Sequence, residues 1–138
     1  MDIIKTLNEI QYLKLEAKYT ESKIEELKAR RSSIKSTSDV GVQPGSHVLT
    51  ANNDSLINMI SNIEELEKSL EADLSKMYQL EKVVTEKIAV LDPKKRIIVK
   101  LHYFEGETLE YICGEIGYSF RHTSRMFKEA LNELEKLA

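Results

Sequence analysis

The chain has 138 residues, which suits one domain, or one small domain with an extended appendage. Charged residues make up 31% and aromatics 7%, with no Trp, two Pro and five Gly, so a turn-rich sandwich or barrel is disfavoured and helices are expected. The net charge of −3 removes any bulk-charge argument for nucleic-acid binding, and the single Cys113 excludes an internal disulfide.

Residues 3–34 read as one long helix. Positions 3, 6, 10, 13, 17, 20, 24, 27, 31 and 34, spaced alternately by three and four, carry seven apolar residues out of ten. Lys, Glu, Asn and Ser fill most of the intervals. This is a heptad seam, and a seam calls for a partner helix. Residues 35–53, "KSTSDVGVQPGSHVLTANN", break the pattern with Ser, Thr, Gly, Pro and Asn. They read as a polar loop, long for a helix–helix connection, with Val40, Val42, Val48 and Leu49 as packing candidates.

Residues 54–91 repeat the first logic, with Asp54 or Ser55 as the cap. Positions 56, 59, 63, 66, 70, 73, 77, 80, 84 and 87 are apolar in eight cases of ten. Ile60, Leu74, Val83 and Ile88 widen the stripe beyond a two-stranded seam. Two readings follow: a hairpin of helix one on helix two, or a hairpin whose widened face also binds a second copy of the chain.

"LDPKKRII" marks a new start, with Asp92 as cap and Pro93 at the first helical position. That helix is expected over 93–104, with Ile97, Ile98, Leu101 and Phe104 as its apolar set and Gly106 ending it. Thr108 caps the next helix, which runs to about Ile116. Gly117 makes the turn, Ser119 caps again, and the last helix runs from Phe120 to about Lys136.

Two short helices joined by a tight turn pose a helix-turn-helix test. Counting Leu109 as the first position, the fourth, eighth and eighteenth should be apolar and are Ile112, Ile116 and Met126. The fifth lies at the helix crossing and should be small; it is Cys113. The ninth must tolerate positive φ and is Gly117. The tenth is commonly apolar and is Tyr118. The fifteenth is usually Val or Ile and here is Thr123.

The outward positions of the second helix are Phe120, Arg121, His122, Ser124, Arg125 and Lys128. Its first turns are those that enter a major groove. Residues 119–128 carry three formal positive charges and no negative one. Arg121 and Arg125 share a face, and arginine can donate two bonds to a guanine edge. Lys128 is placed to reach phosphate, as are Ser119 and the helix N-terminus. Lys94, Lys95 and Arg96 form a second cationic cluster, suited to backbone phosphate contact. The bland alternative for both clusters is a solvated cationic face.

From Leu91 to Leu137 the chain resembles region 4 of bacterial sigma factors. The resemblance rests on "KKRIIVKLHYFEGETLEYICGEIGYS", on Gly106, Thr108 and Ile112 at the motif's opening, and on Ala130, Leu131 and Leu134 in its closing "A-L-x-x-L". The whole layout, with its helical N-terminal half and the linker "GVQPGSH", resembles phage and prophage late-transcription regulators of the RinA and ArpU type. That resemblance implies a DNA-binding regulator of late or packaging genes, working in a bacterial host cell. It does not imply a true sigma factor, because a heptad hairpin stands where the promoter-melting segments would be. The family's DNA-reading positions fall on Phe120, Arg121, His122, Ser124 and Arg125. Phe120 and Arg121 depart from the Arg and Glu common among sigma factors at the start of this set, so the family's preferred DNA sequence does not transfer.

The expectation is therefore an all-α chain: a long coiled-coil-like hairpin over 1–91, with its loop at 35–53, followed by a small sigma-region-4-like helix-turn-helix domain over 92–138. The expected partners are double-stranded DNA, RNA polymerase as the second candidate, and another copy of the chain joined through the N-terminal helices. Two further readings compete: a region-4 mimic docking on polymerase or an anti-sigma protein, and a DNA-recognition subunit of a packaging machine. Glu105, Glu107 and Glu110 beside the motif are either a solvated turn or a polymerase contact.

No enzyme chemistry is expected. His47, His102 and His122 lie apart, no Cys/His cluster has zinc spacing, and no glycine-rich loop cradles a phosphate. No cofactor or metal is expected. "MDIIKTLNEI" is too polar for a signal peptide and no apolar run approaches a membrane span, so a cytoplasmic protein without membrane contact is expected.

Overall fold

The computed structural model describes residues 2–39 and 47–137. Among these the chain is all-α, without a strand. Helix α1 spans Ile3–Asp39 and α2 spans His47–Lys87. The loop expected over 35–53 is thus largely helical: 35–39 extend α1 and 47–53 open α2. Neither piece holds a Gly or Pro, so nothing in the backbone chemistry stops the helix. The expected caps Asp54 and Ser55 lie inside α2 for the same reason. Residues 40–46, with Val40, Val42 and most of "GVQPGSH", lie outside the described residues.

A short 3₁₀ turn, Ile88–Val90, ends α2. Leu91 and Asp92 are then extended, as the residue before a proline prefers. Asp92 caps α3, Pro93–Val99, by accepting from the Lys95 N–H. The helix expected over 93–104 changes character at Lys100. Residues Lys100–Phe104 form a π-helical turn, closed by Glu105 N–H donating to the Lys100 carbonyl at 3.3 Å. Thr108 caps α4, Leu109–Ile116, and Ser119 caps α5, Phe120–Glu135.

The chain divides into two compact units. The first comprises residues 1–15 and 74–138 and contains the helix-turn-helix. Its main core joins Leu7, Ile10, Val84, Ile88, Leu91, Val99, Tyr103, Ala130 and Leu134, among others. The base of α1, the end of α2, α3 and α5 therefore share one interior. Leu74 and Ile88, which widen the α2 stripe, turn into this core rather than outward. Val99 and Tyr103 join it too, whereas Ile97, expected inside, is 40% exposed. Of the expected apolar set, Ile98 and Leu101 pack with α4 and α5 and Phe104 packs against the main core; a second face is needed because α1 and α2 cover the other side.

Polar groups from α1 finish the π-turn. Lys14 Nζ donates to the Phe104 carbonyl at 2.6 Å, and Gln11 Nε2 to the His102 carbonyl at 3.4 Å. Carbonyls at a helix end otherwise lack partners. His102 is a packing residue: its ring meets Tyr103 and Phe127 edge-on, each at 4.9 Å, and Nδ1–H donates to the Glu107 carbonyl at 2.9 Å.

The second unit, residues 16–73, holds the remainder of α1 and α2. Ala17, Thr20, Ile24 and Ile63 are buried in it, and Lys28 pairs with Glu67 at 3.4 Å. Thr20, a polar seam position, donates its hydroxyl to the Glu16 carbonyl at 3.0 Å. Among the described residues no helix is long and apolar enough to cross a membrane.

Candidate nucleic-acid interface

A second, smaller core holds α4 against α5. Ile98, Ile112 and Met126 are its buried members, with Leu101, Leu109, Ile116, Tyr118 and Phe127 packed around them. These include the apolar positions of the helix-turn-helix test. Gly117 adopts φ +76°, the left-handed conformation the turn requires. Its N–H and that of Tyr118 both return to the Cys113 carbonyl, at 3.0 and 3.2 Å. Cys113 itself is half-buried, its thiol donating to the Glu110 carbonyl at 3.0 Å. Thr123 is fully buried, and its hydroxyl finds no partner among the described residues.

With Thr123, Met126 and Ala130 turned inward, helical geometry sends Arg121, Arg125 and Lys128 outward. Phe120, Arg121, Ser124, Arg125 and Lys128 line one open concavity of about 430 Å³. Five residues singled out from the sequence thus share a face on the N-terminal turns of α5. Phe120 is 47% exposed on this face. Ser119 Oγ accepts from the His122 N–H at 3.1 Å, so the hydroxyl caps the helix and keeps its own proton to donate. His122 is half-buried; its Nδ1 lies 2.6 Å from Arg125 Nη2 and its ring 4.9 Å from Tyr118.

The cluster Lys94, Lys95 and Arg96 splits. Lys95 Nζ sits 2.9 Å from Glu133, 3.5 Å from Glu129 and 3.9 Å from Asp92, with only 14% of its side chain exposed. Hydrogen bonding to Glu133 holds its pKa above the usual lysine value. Lys95 is therefore a tie between the start of α3 and the C-terminal half of α5, and three carboxylates already answer its charge. The tie also draws the acids of α5 away from the cationic face, a separation that spacing on α5 alone did not reveal. Lys94 instead lies over the Tyr118 ring, 4.9 Å from its centroid. Arg96 is half-buried.

Sequence reasoning missed Tyr118 as anything but core. It packs into the α4–α5 core and also touches both Lys94 and His122. Of the glutamates beside the motif, Glu105 lies 4.0 Å from Lys14 Nζ, and Glu110 is exposed. Among the described residues, no group of three or more His, Cys, Asp or Glu side chains is placed to hold a metal ion.

No family model matches the chain, and neither a curated protein nor a solved structure matches it.

Proposed function

We propose that this chain is a sequence-specific DNA-binding transcription regulator that lays the exposed face of α5 in the major groove of duplex DNA. The single observation that carries this reading is the shared concave face of Phe120, Arg121, Ser124, Arg125 and Lys128, on the first turns of a helix that follows a left-handed glycine turn. A recognition helix presents its N-terminal turns to base edges in this way. The two arginines supply guanine-directed donors, Phe120 supplies an apolar surface for a thymine methyl, and Lys128 supplies charge for phosphate. Control of phage late or packaging genes in a bacterial host is the biological role we attach to it, on the sequence resemblance.

Two copies joined through the N-terminal helices form the proposed working species. Tyr12 and Leu15, three residues apart on α1, are both exposed, which supports a further helix lying there. A second reading, docking on RNA polymerase, is favoured by the exposed Glu110 and Glu115 on α4.

Selection of bound fragments from a phage genome library separates these readings. Wild type runs beside the Arg121→Ala/Arg125→Ala double variant at two salt concentrations. Recovery of one shared motif by wild type alone supports the DNA-reading face, and affinity then falls steeply with salt as counterions are released. Losing Arg121 alone costs about 1–3 kcal/mol on the selected site if it reads a base. No enrichment by wild type at low salt, with co-purification of polymerase, transfers the function to docking.

A further inference from the structure

The two arginines on the α5 face are not held alike. Arg125 Nη2 lies 2.6 Å from His122 Nδ1. A guanidinium has only donors to offer, so Nδ1 must be the acceptor and the imidazole proton must sit on Nε2. The imidazole is itself fixed. Its ring tilts against Tyr118 at 4.9 Å, and Tyr118 is anchored twice, in the α4–α5 core and beneath Lys94 Nζ. A continuous series of contacts thus runs from the start of α3, through the turn, to the tip of Arg125. Arg121, four residues earlier on the same face, is exposed, and among the described residues no hydrogen bond or ion pair restrains it.

We propose that His122, seated on Tyr118, is a positioning residue that pre-orders Arg125 as the principal base reader of the site, leaving Arg121 the more adaptable of the two. This inference rests on the DNA-reading role given to α5 above. A free arginine loses several rotatable bonds' worth of freedom when it docks on a guanine edge. An arginine already held by one N–H has lost part of that freedom before binding. Its remaining N–H groups stay available for the two-bond contact with guanine O6 and N7. Order imposed before binding sharpens base discrimination, because a held fork cannot swing to another acceptor.

The test compares wild type, Arg125→Ala, His122→Ala and His122→Asn in the same binding selection, followed by affinity measurements on the selected site and on random duplex. Asparagine places an amide oxygen near the position of Nδ1 and so keeps the acceptor. Arg125→Ala identifies the base position that Arg125 reads. His122→Ala is expected to flatten preference at that same position and to weaken the selected site by about three- to ten-fold, the range for ordering one rotamer-rich side chain. Its melting temperature should match wild type, so that the loss is not one of folding. His122→Asn should restore the preference. Preference retained by His122→Ala, or lost equally in both His122 variants, overturns the positioning role.

Nitrogen-detected NMR of the His122 ring gives a readout without DNA. Wild type should show the Nε2–H form alone, and Arg125→Ala should show a mixture of tautomers. An unchanged ring in Arg125→Ala overturns the inference even if DNA is read. A wild type with no base preference overturns the DNA-reading premise and the inference together. That failure is recognisable because Arg125→Ala and wild type then behave alike on every duplex.

Discussion

The seam of α1 and α2 has the same spacing at both ends, yet it does different things in the two units. In the first unit Ile3, Thr6, Leu7, Ile10 and Leu13 of α1 are all buried, and so are Met77 and Val84 of α2 and Ile88 of the turn that ends it. Among the described residues of the second unit, burial thins to Ala17, Thr20 and Ile24 on α1 and Ile63 on α2. Leu27, Leu56, Met59 and Leu66 stay half-buried there. Two helices can shield only a narrow stripe of each other. In the first unit a third layer, α3 with α5, closes over the start of α1 and the end of α2 and turns half-burial into full burial. The same apolar spacing thus yields a core in one place and a seam in the other.

The largest way to break this contrast is truncation of matched leucines. Leu7 is fully buried, and Leu7→Ala should cost about 2–5 kcal/mol in chemical denaturation. Leu27 is half-buried, and Leu27→Ala should cost about 1 kcal/mol, in proportion to the smaller area withdrawn from water. Equal losses would mean that the base of α1 is no more integral to its unit than the seam is to the other.

A smaller effect separates two threonines. Thr20 hands its hydroxyl to the Glu16 carbonyl, whereas the Thr123 hydroxyl is buried without a partner among the described residues. Thr123→Val should therefore raise stability by about 1 kcal/mol, since it removes a desolvated hydroxyl at nearly constant shape. Thr20→Val should move it by less than about 0.5 kcal/mol, because its bond only supplements one the helix already makes. A destabilised Thr123→Val would show that the hydroxyl has a partner after all, such as a buried water.

The smallest effect is electrostatic. Burial raises the pKa of Glu81, with Lys14 lowering it and Glu105 raising it. A carboxyl that holds its proton longer in the folded chain favours folding below the ordinary carboxylate range, and that contribution is lost as pH rises through the raised value. Glu81→Gln carries no such titration. Relative to wild type, its melting temperature should gain as pH rises from the ordinary glutamate value of about 4.3 through the raised one. A flat difference across that range would remove Glu81 from the pH response of this unit.

How much was legible beforehand varies with the kind of signal. The caps Asp92, Thr108 and Ser119 and the glycine turn at 117 were all readable, because each depends on residues within a few positions. The outward face of α5 was readable for the same reason. The 35–53 region was misjudged because polar composition resembles a loop, although only its central Gly and Pro oppose a helix. The fate of Lys95 was hidden, since Glu129 and Glu133 lie more than thirty residues away in sequence and reach it only when α5 packs beside α3.

The sequence by itself determined the all-α class, the helix-turn-helix spacing and the cationic outer turns of α5, since helix periodicity and capping are local physics. The tertiary structure alone decided that the base of α1 completes the helix-turn-helix unit, that Ile97 faces outward while Val99 and Tyr103 face in, and that Lys95 is neutralised by α5. Each of these depends on which helix lies across from which, and no periodicity along one strand of chain encodes its neighbour.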